Sequence, residues 1–106
     1  HGPIGPWLVT PDELGDPHDL SIEVRVNGEV RQKSHTSDMI YDCFDQIEYL
    51  SKAFTLMPGD IIATGTPAGV GIGSTPPVYL KTGDTVKVEI EKLGFIENKV
   101  SAERTA

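Results

Sequence analysis

Apolar residues recur at Ile40, Cys43, Phe44, Ile47 and Leu50, the i, i+3, i+4, i+7 spacing of one buried helical face. The spacing predicts a helix over residues 36–54, with Thr36 or Ser37 as N-cap and Asp38 near the positive end of the dipole. Lys52 falls in its last turn, where a cation is favoured. A second rhythm, of period two, runs through Ile22, Val24 and Val26 and then meets Asn27-Gly28, a strong hairpin signal. Val30 breaks the alternation on the return arm, so the hairpin needs a bulge or a strand buried on one arm only. Leu-x-x-Gly-Asp occurs twice, at 56–60 and 80–84, each time as a turn before a strand-like run. The first run, 61–63, is apolar on both sides and reads as a central strand. The second sets Val86, Val88 and Ile90 against Lys87, Glu89 and Glu91, so one of its faces is wet. Residues 7–10 read as a short strand, 95–100 as the last one and 101–106 as a frayed tail. Five or six short strands and one helix without a βαβ alternation give a β-rich α+β fold.

Composition narrows the function. At 106 residues the chain holds at most one ordinary domain, and 38% hydrophobic with 24% charged residues is a globular balance. A net charge of -7 argues against a nucleic-acid surface, which needs clustered Lys and Arg. Cys43 is the only cysteine, which excludes an intrachain disulfide, points to a reducing compartment and fits a small core residue better than a nucleophile. No apolar run reaches the roughly 18 residues of a membrane span, and no basic segment followed by an apolar one opens the chain. A cytoplasmic protein without membrane or signal segments is the expectation.

The candidate chemistry centres on Asp60 to Gly73, "DIIATGTPAGVGIG". It is not a P-loop, because no Gly-Lys-Ser/Thr follows, and Pro76 and Pro77 forbid the helix a dinucleotide fingerprint needs. A strand followed by hydroxyls and glycines can still present main-chain N–H groups and threonine oxygens to a carboxylate, though a plain flexible connection accounts for it equally well. Asp38, Asp42 and Asp45 share a helical face by spacing and read as a solvated face rather than a metal site. Glu89 and Glu91, two apart on a strand and next to Lys87, read the same way. His1, His18 and His35 have no metal-ligand spacing and no obvious acid partner. Ser34, Ser37 and Ser74 lack the context of an activated nucleophile.

At "GPWLVTPDEL", "VNGEVRQ", "TSDMI", "YLS", "PGDIIATGTPAGVG" and "LKTGDTVKVEIEKLG" the chain resembles the C-terminal part of the fumarylacetoacetate hydrolase superfamily, in order from about Gly5 to Val100. It looks most like the 2-hydroxyhepta-2,4-diene-1,7-dioate (5-carboxymethyl-2-hydroxymuconate) isomerases. The resemblance implies that residues 3–100 are part of a mixed β-sandwich roll, with 101–106 as a tail. It also implies a usually dimeric enzyme of aromatic catabolism acting on 2-oxo or enol dicarboxylic acids with Mg²⁺ or Mn²⁺. Acylpyruvate hydrolysis, oxaloacetate decarboxylation and ureidoglycolate lysis share the scaffold, and a non-catalytic β module is the alternative from another class. Thr66, with Gly65, matches the position that binds a substrate carboxylate, and Gly65, Gly69 and Gly71 would let the backbone wrap a small dianion. The family's Glu-x-Glu and Asp metal ligands, its catalytic Lys and its His–Glu pair all lie upstream of the Gly-Pro-Trp segment. Glu89-Ile90-Glu91 has the letters of the metal pair but not its place. The resemblance therefore assigns no catalytic residue and no metal ligand to this chain, which alone is expected to bind no metal, to be inactive, and to associate with itself or with the upstream part.

Overall fold

The computed structural model describes residues 2–103; His1 and the last three residues of the expected tail lie outside the described residues. The elements run α1 (Pro11–Leu14), β1 (Ser21–Val26), β2 (Glu29–His35), a 3-10 turn (Thr36–Asp38), α2 (Cys43–Ala53), a second 3-10 turn (Gly71–Gly73), β3 (Thr85–Ile90) and β4 (Gly94–Lys99). The strands form one antiparallel sheet in the order β2-β1-β3-β4. This is the β-rich α+β arrangement expected.

Asn27 at φ 52° and Gly28 at φ 83° give the β1–β2 hairpin the two positive φ values of a tight turn that follows the strand twist. Val26 then stands opposite Glu29 and Arg25 opposite Val30, but Val24 stands opposite Gln32. Arg31 is the extra residue of a β-bulge, which turns Gln32 and Ser34 onto the face of Val24 and Ile22 but leaves Val30 opposite Arg25 on the other face, 40% exposed. On the neighbouring pair Ile22, Val24 and Val26 oppose Ile90, Val88 and Val86, and Ile96 opposes Val88. One face of the sheet is thus apolar. The other carries the Glu23–Arg25 pair at 2.6 Å and the Lys87–Glu89 pair at 2.7 Å, with Lys87 Nζ 4.3 Å above the Phe95 ring.

Both Leu-x-x-Gly-Asp segments fold into the same turn. The Asp60 N–H donates to Met57 O at 3.0 Å and its carboxylate accepts from the Met57 N–H at 2.7 Å. Asp84 repeats this with Lys81 at 3.0 and 2.8 Å. Gly59 and Gly83 supply the positive φ, at 96° and 99°. Only the second turn feeds a paired strand. Residues 61–63 pair with no strand among the described residues, and Ile61 is 72% exposed, so the expected central strand is an extended segment without a ladder. Residues 7–10 are likewise unpaired. The Trp7 indole N–H instead donates to Leu93 O at 3.0 Å, tying the segment to the β3–β4 turn.

The expected long helix is shorter. It begins at Cys43 because Asp42 and Asp45 form a reciprocal cap, each carboxylate accepting from the other's N–H at 2.8 and 3.1 Å. Thr36 and Ser37 belong to the preceding 3-10 turn, and Ile40 lies off the stripe at 91% exposure. Phe44 and Ile47, on the apolar stripe of α2, are exposed as well. Among the described residues Leu20 alone is a buried apolar side chain, at 2% exposure. The radius of gyration is 15.8 Å, against about 13 Å for a compact domain of this size.

Candidate functional site

A cleft of about 1160 Å³ opens between the 3-10 turn, α2 and residues 62–68, above the β1–β2 end of the apolar face. Its floor includes Ile22 and Ser34, and one wall is the Thr64-Gly65-Thr66-Pro67 loop. A single side chain docks that loop on the sheet. Gln32 Nε2 donates to Thr66 Oγ1 at 2.8 Å and to Pro67 O at 2.7 Å. The Arg31 bulge makes this possible, since a regular two-residue hairpin would place Gln32 opposite Glu23, on the charged face.

The glycines of the loop serve different ends. A Cβ on Gly69 (φ +104°) would collide with Arg31 O, and one on Gly71 would collide with Val78 O. Those two positions are glycine because main chain meets main chain there, which corrects the expectation that they wrap a ligand. Gly65 (φ +107°) has nothing within 4 Å of a built Cβ and stands open on the cleft wall. Among the described residues nothing accepts a hydrogen bond from the N–H of Gly65 or Thr66. Two main-chain N–H groups and one hydroxyl hydrogen of adjacent cleft-lining residues are therefore unengaged among the described residues.

The remaining lining is not built for an anion. Asp38, Asp45 and Glu48 face Lys52, whose ammonium is already taken by Glu48 at 2.6 Å. A carboxylated ligand in this cleft needs a cation from elsewhere. Among the described residues no group of three or more His, Cys, Asp and Glu side chains could hold a metal ion. Asp38 accepts from the Ser34 hydroxyl at 2.7 Å and the His35 N–H at 3.3 Å, in that order the causes that hold its carboxyl below the usual carboxylate range. Asp42 and Asp45 cap α2. Glu89 pairs with Lys87, and Glu91 accepts from the Ser21 N–H at 3.1 Å.

His18 and His35 do have acid partners, which the sequence reading missed. His18 Nδ1 lies 3.2 Å from Asp16, while its Nε2 accepts from the Cys43 N–H at 3.0 Å, at the first turn of α2. His35 Nε2 lies 3.5 Å from Asp19, and its Nδ1 contacts Ser37 Oγ at 2.8 Å as the cap of the 3-10 turn. Asp16–His18 is a local i, i+2 signal that was open to inspection in the sequence; the His18–Cys43 bond, 25 residues apart, was not. Burial, then the neighbouring Asp42 charge, pushes the Cys43 thiol up, which disfavours the thiolate. Gln32 is the residue of the site that sequence reasoning passed over.

A family profile described as fumarylacetoacetate (FAA) hydrolase C-terminal matches residues 1–101. The mitochondrial oxaloacetate tautomerase of Rattus norvegicus is 55% identical over 98 residues, 92% of this chain and 31% of that protein. A fumarylacetoacetate hydrolase from psychrophilic Exiguobacterium antarcticum superposes with a TM-score of 0.91 at 50% identity, over 95% of this chain and 36% of that one. The 5-carboxymethyl-2-hydroxymuconate delta-isomerase of Mycobacterium smegmatis gives 0.80 at 42% identity, over 95% and 36%. Maleylpyruvate hydrolase of Sphingobium sp. SYK-6, in complex with manganese(II) ion and pyruvate, gives 0.81 at 41% identity, over 92% and 34%. The chain spans about a third of the length of the relatives it matches.

Proposed function

Because the chain belongs to the fumarylacetoacetate hydrolase C-terminal family, we propose that it forms the carboxylate-binding wall of a metal-dependent enzyme acting on 2-oxo or enol dicarboxylic acids. The observation that carries this reading is the pair of unengaged N–H groups of Gly65 and Thr66 beside the Thr66 hydroxyl, on the wall of the cleft. In this reading they hold one carboxylate of the substrate and fix the carbon skeleton for a proton shift or a C–C cleavage next to the 2-oxo group. The cation, Mg²⁺ or Mn²⁺, belongs to protein beyond this chain, as do the groups that move protons. No step is assigned to a metal here.

Isomerisation of 2-hydroxyhepta-2,4-diene-1,7-dioate-type substrates is the first reaction we propose. The 55% identity to an oxaloacetate tautomerase, against 42% to a hydroxymuconate isomerase and 46% to a 2-hydroxyhepta-2,4-diene-1,7-dioate isomerase, favours a second: keto–enol interconversion of oxaloacetate. Both shift a proton through the same kind of enolic intermediate. Thr66→Val in the full-length protein tests the shared premise: affinity for the carboxylated substrate falls by about 1–3 kcal/mol while the fold persists. Unchanged KM and kcat would remove Thr66 from the site. Side-by-side assays with both substrates choose the reaction.

Self-association, or docking against the upstream part of the protein, belongs to the same proposal. It is supported by the exposed side chains of Phe44 and Ile47 and by β2 and β4 as the two outer strands of the sheet. Among the described residues no helix is long and apolar enough to cross a membrane. The rat relative is mitochondrial by name; cytoplasmic placement of this protein is a proposal that cell fractionation checks.

A further inference from the structure

The hydrogen bonds around Gln32 fix more than the position of the loop. Pro67 O has only lone pairs to offer, so the Gln32 atom 2.7 Å from it is the amide NH₂ and not the amide oxygen. The same nitrogen lies 2.8 Å from Thr66 Oγ1. With one of its hydrogens directed to Pro67 O, the other is directed to the threonine oxygen. Thr66 Oγ1 therefore accepts from Gln32, and its own hydrogen must point away, with no acceptor among the described residues. A hydroxyl is otherwise free to turn as donor or acceptor. Here Gln32 engages one of its two lone pairs, so the hydroxyl hydrogen is left over for a ligand acceptor such as a carboxylate.

We propose that Gln32 is a positioning residue that favours carboxylate binding by engaging Thr66 Oγ1 from the sheet side and leaving the threonine O–H to donate to the ligand. The inference rests on the reading of Thr66 as a carboxylate-binding residue. It assigns Gln32 a role in binding that acts through Thr66, with the Arg31 bulge and the close approach of Gly69 to β2 holding the amide in register. Preorganisation of this kind stabilises a bound anion because no hydroxyl has to be reoriented when it arrives.

The test is a double-mutant cycle in the full-length protein, with pyruvate as the carboxylate probe and calorimetry as the readout. Gln32→Met removes the donor, Gln32→Glu replaces it with an acceptor, and Gln32→Lys keeps a donor on a charged side chain one bond longer. The expected result is a rise of about tenfold in the pyruvate Kd for the Met and Glu variants and near-normal binding for Lys. In a Thr66→Val background the Met substitution should have less than about a twofold effect. A role confined to holding the fold would instead lower the melting temperature and persist in the Thr66→Val background. If Thr66→Val weakens pyruvate binding and Gln32→Met does not, the positioning role is overturned and the carboxylate reading stands. If Thr66→Val itself leaves pyruvate binding unchanged, both fall.

Discussion

Gly69→Ala separates a glycine needed for main-chain packing from one needed for a ligand. At φ +104° a side chain is strained by about 1–3 kcal/mol before any contact is counted. The new methyl would also collide with Arg31 O and press on Gln32 Cγ, 3.1 Å away. The molecule has two responses, and it takes the cheaper one. Keeping the loop docked means bearing the strain and the collision together. Lifting the loop off β2 gives up the two Gln32 hydrogen bonds, each contributing about 0.5–1.5 kcal/mol net, so roughly 1–3 kcal/mol in all. The second route sets the ceiling. Urea denaturation of the full-length protein should therefore show a loss of about 1–3 kcal/mol, with loss of pyruvate binding out of proportion to it. Gly73→Ala is the control: its φ is not positive and its Cβ would meet only Val70 Cγ2 at 3.7 Å, an ordinary contact. A Gly69→Ala protein with an unchanged midpoint and normal pyruvate affinity would refute the docking argument.

Three further outcomes follow from the same geometry. Asp42→Ala removes one half of the α2 cap and should cost about 1 kcal/mol, read as a lower denaturation midpoint; Asp42→Asn should recover most of it. Asp84, held below the carboxylate range first by the Asn27 side chain and then by the Lys81 N–H, contributes stability that is present above the ordinary carboxylate pKa of about 4. That contribution is lost as pH falls through its lower folded value, and Asn27→Ala should flatten this part of the stability profile below pH 4 or so; an unaltered profile contradicts it. Calorimetric titration of the 106-residue chain with Mn²⁺ should show no tight single site, and one tight site would overturn the assignment of the metal to protein beyond this chain.

Local chemistry made much of the fold legible. Asn27-Gly28 announced the hairpin, the broken alternation on its return arm announced a bulge although Val30 itself stays opposite Arg25, and the doubled Leu-x-x-Gly-Asp announced two turns of the same construction. Alternation at Val86, Val88 and Ile90 located β3 and its apolar face. The errors came where one signal could serve two structures. Thr36, Ser37 and Asp38 fit a helix start by composition, but the Asp42/Asp45 cap competes for that start and prevails because it satisfies two N–H groups at once. Apolar residues at 61–63 promised a strand, yet a strand exists only where a partner ladder does, and a run of three residues cannot show whether one is near. The Thr-Gly-Thr-Pro motif singled out Thr66 by family resemblance, and Thr66 lines the cleft. Gln32 was not singled out, because its partners lie 34 and 35 residues away and its aim depends on a bulge that reverses the face it would otherwise occupy.

With Leu20 the single buried apolar side chain among the described residues, the chain on its own should melt with an unusual calorimetric signature. The heat absorbed on melting, and the step in heat capacity that accompanies it, scale with apolar surface newly wetted, and here most of that surface is wet beforehand. A scan of the separate polypeptide would trace a broad, shallow rise where a domain of its length normally gives a sharp peak.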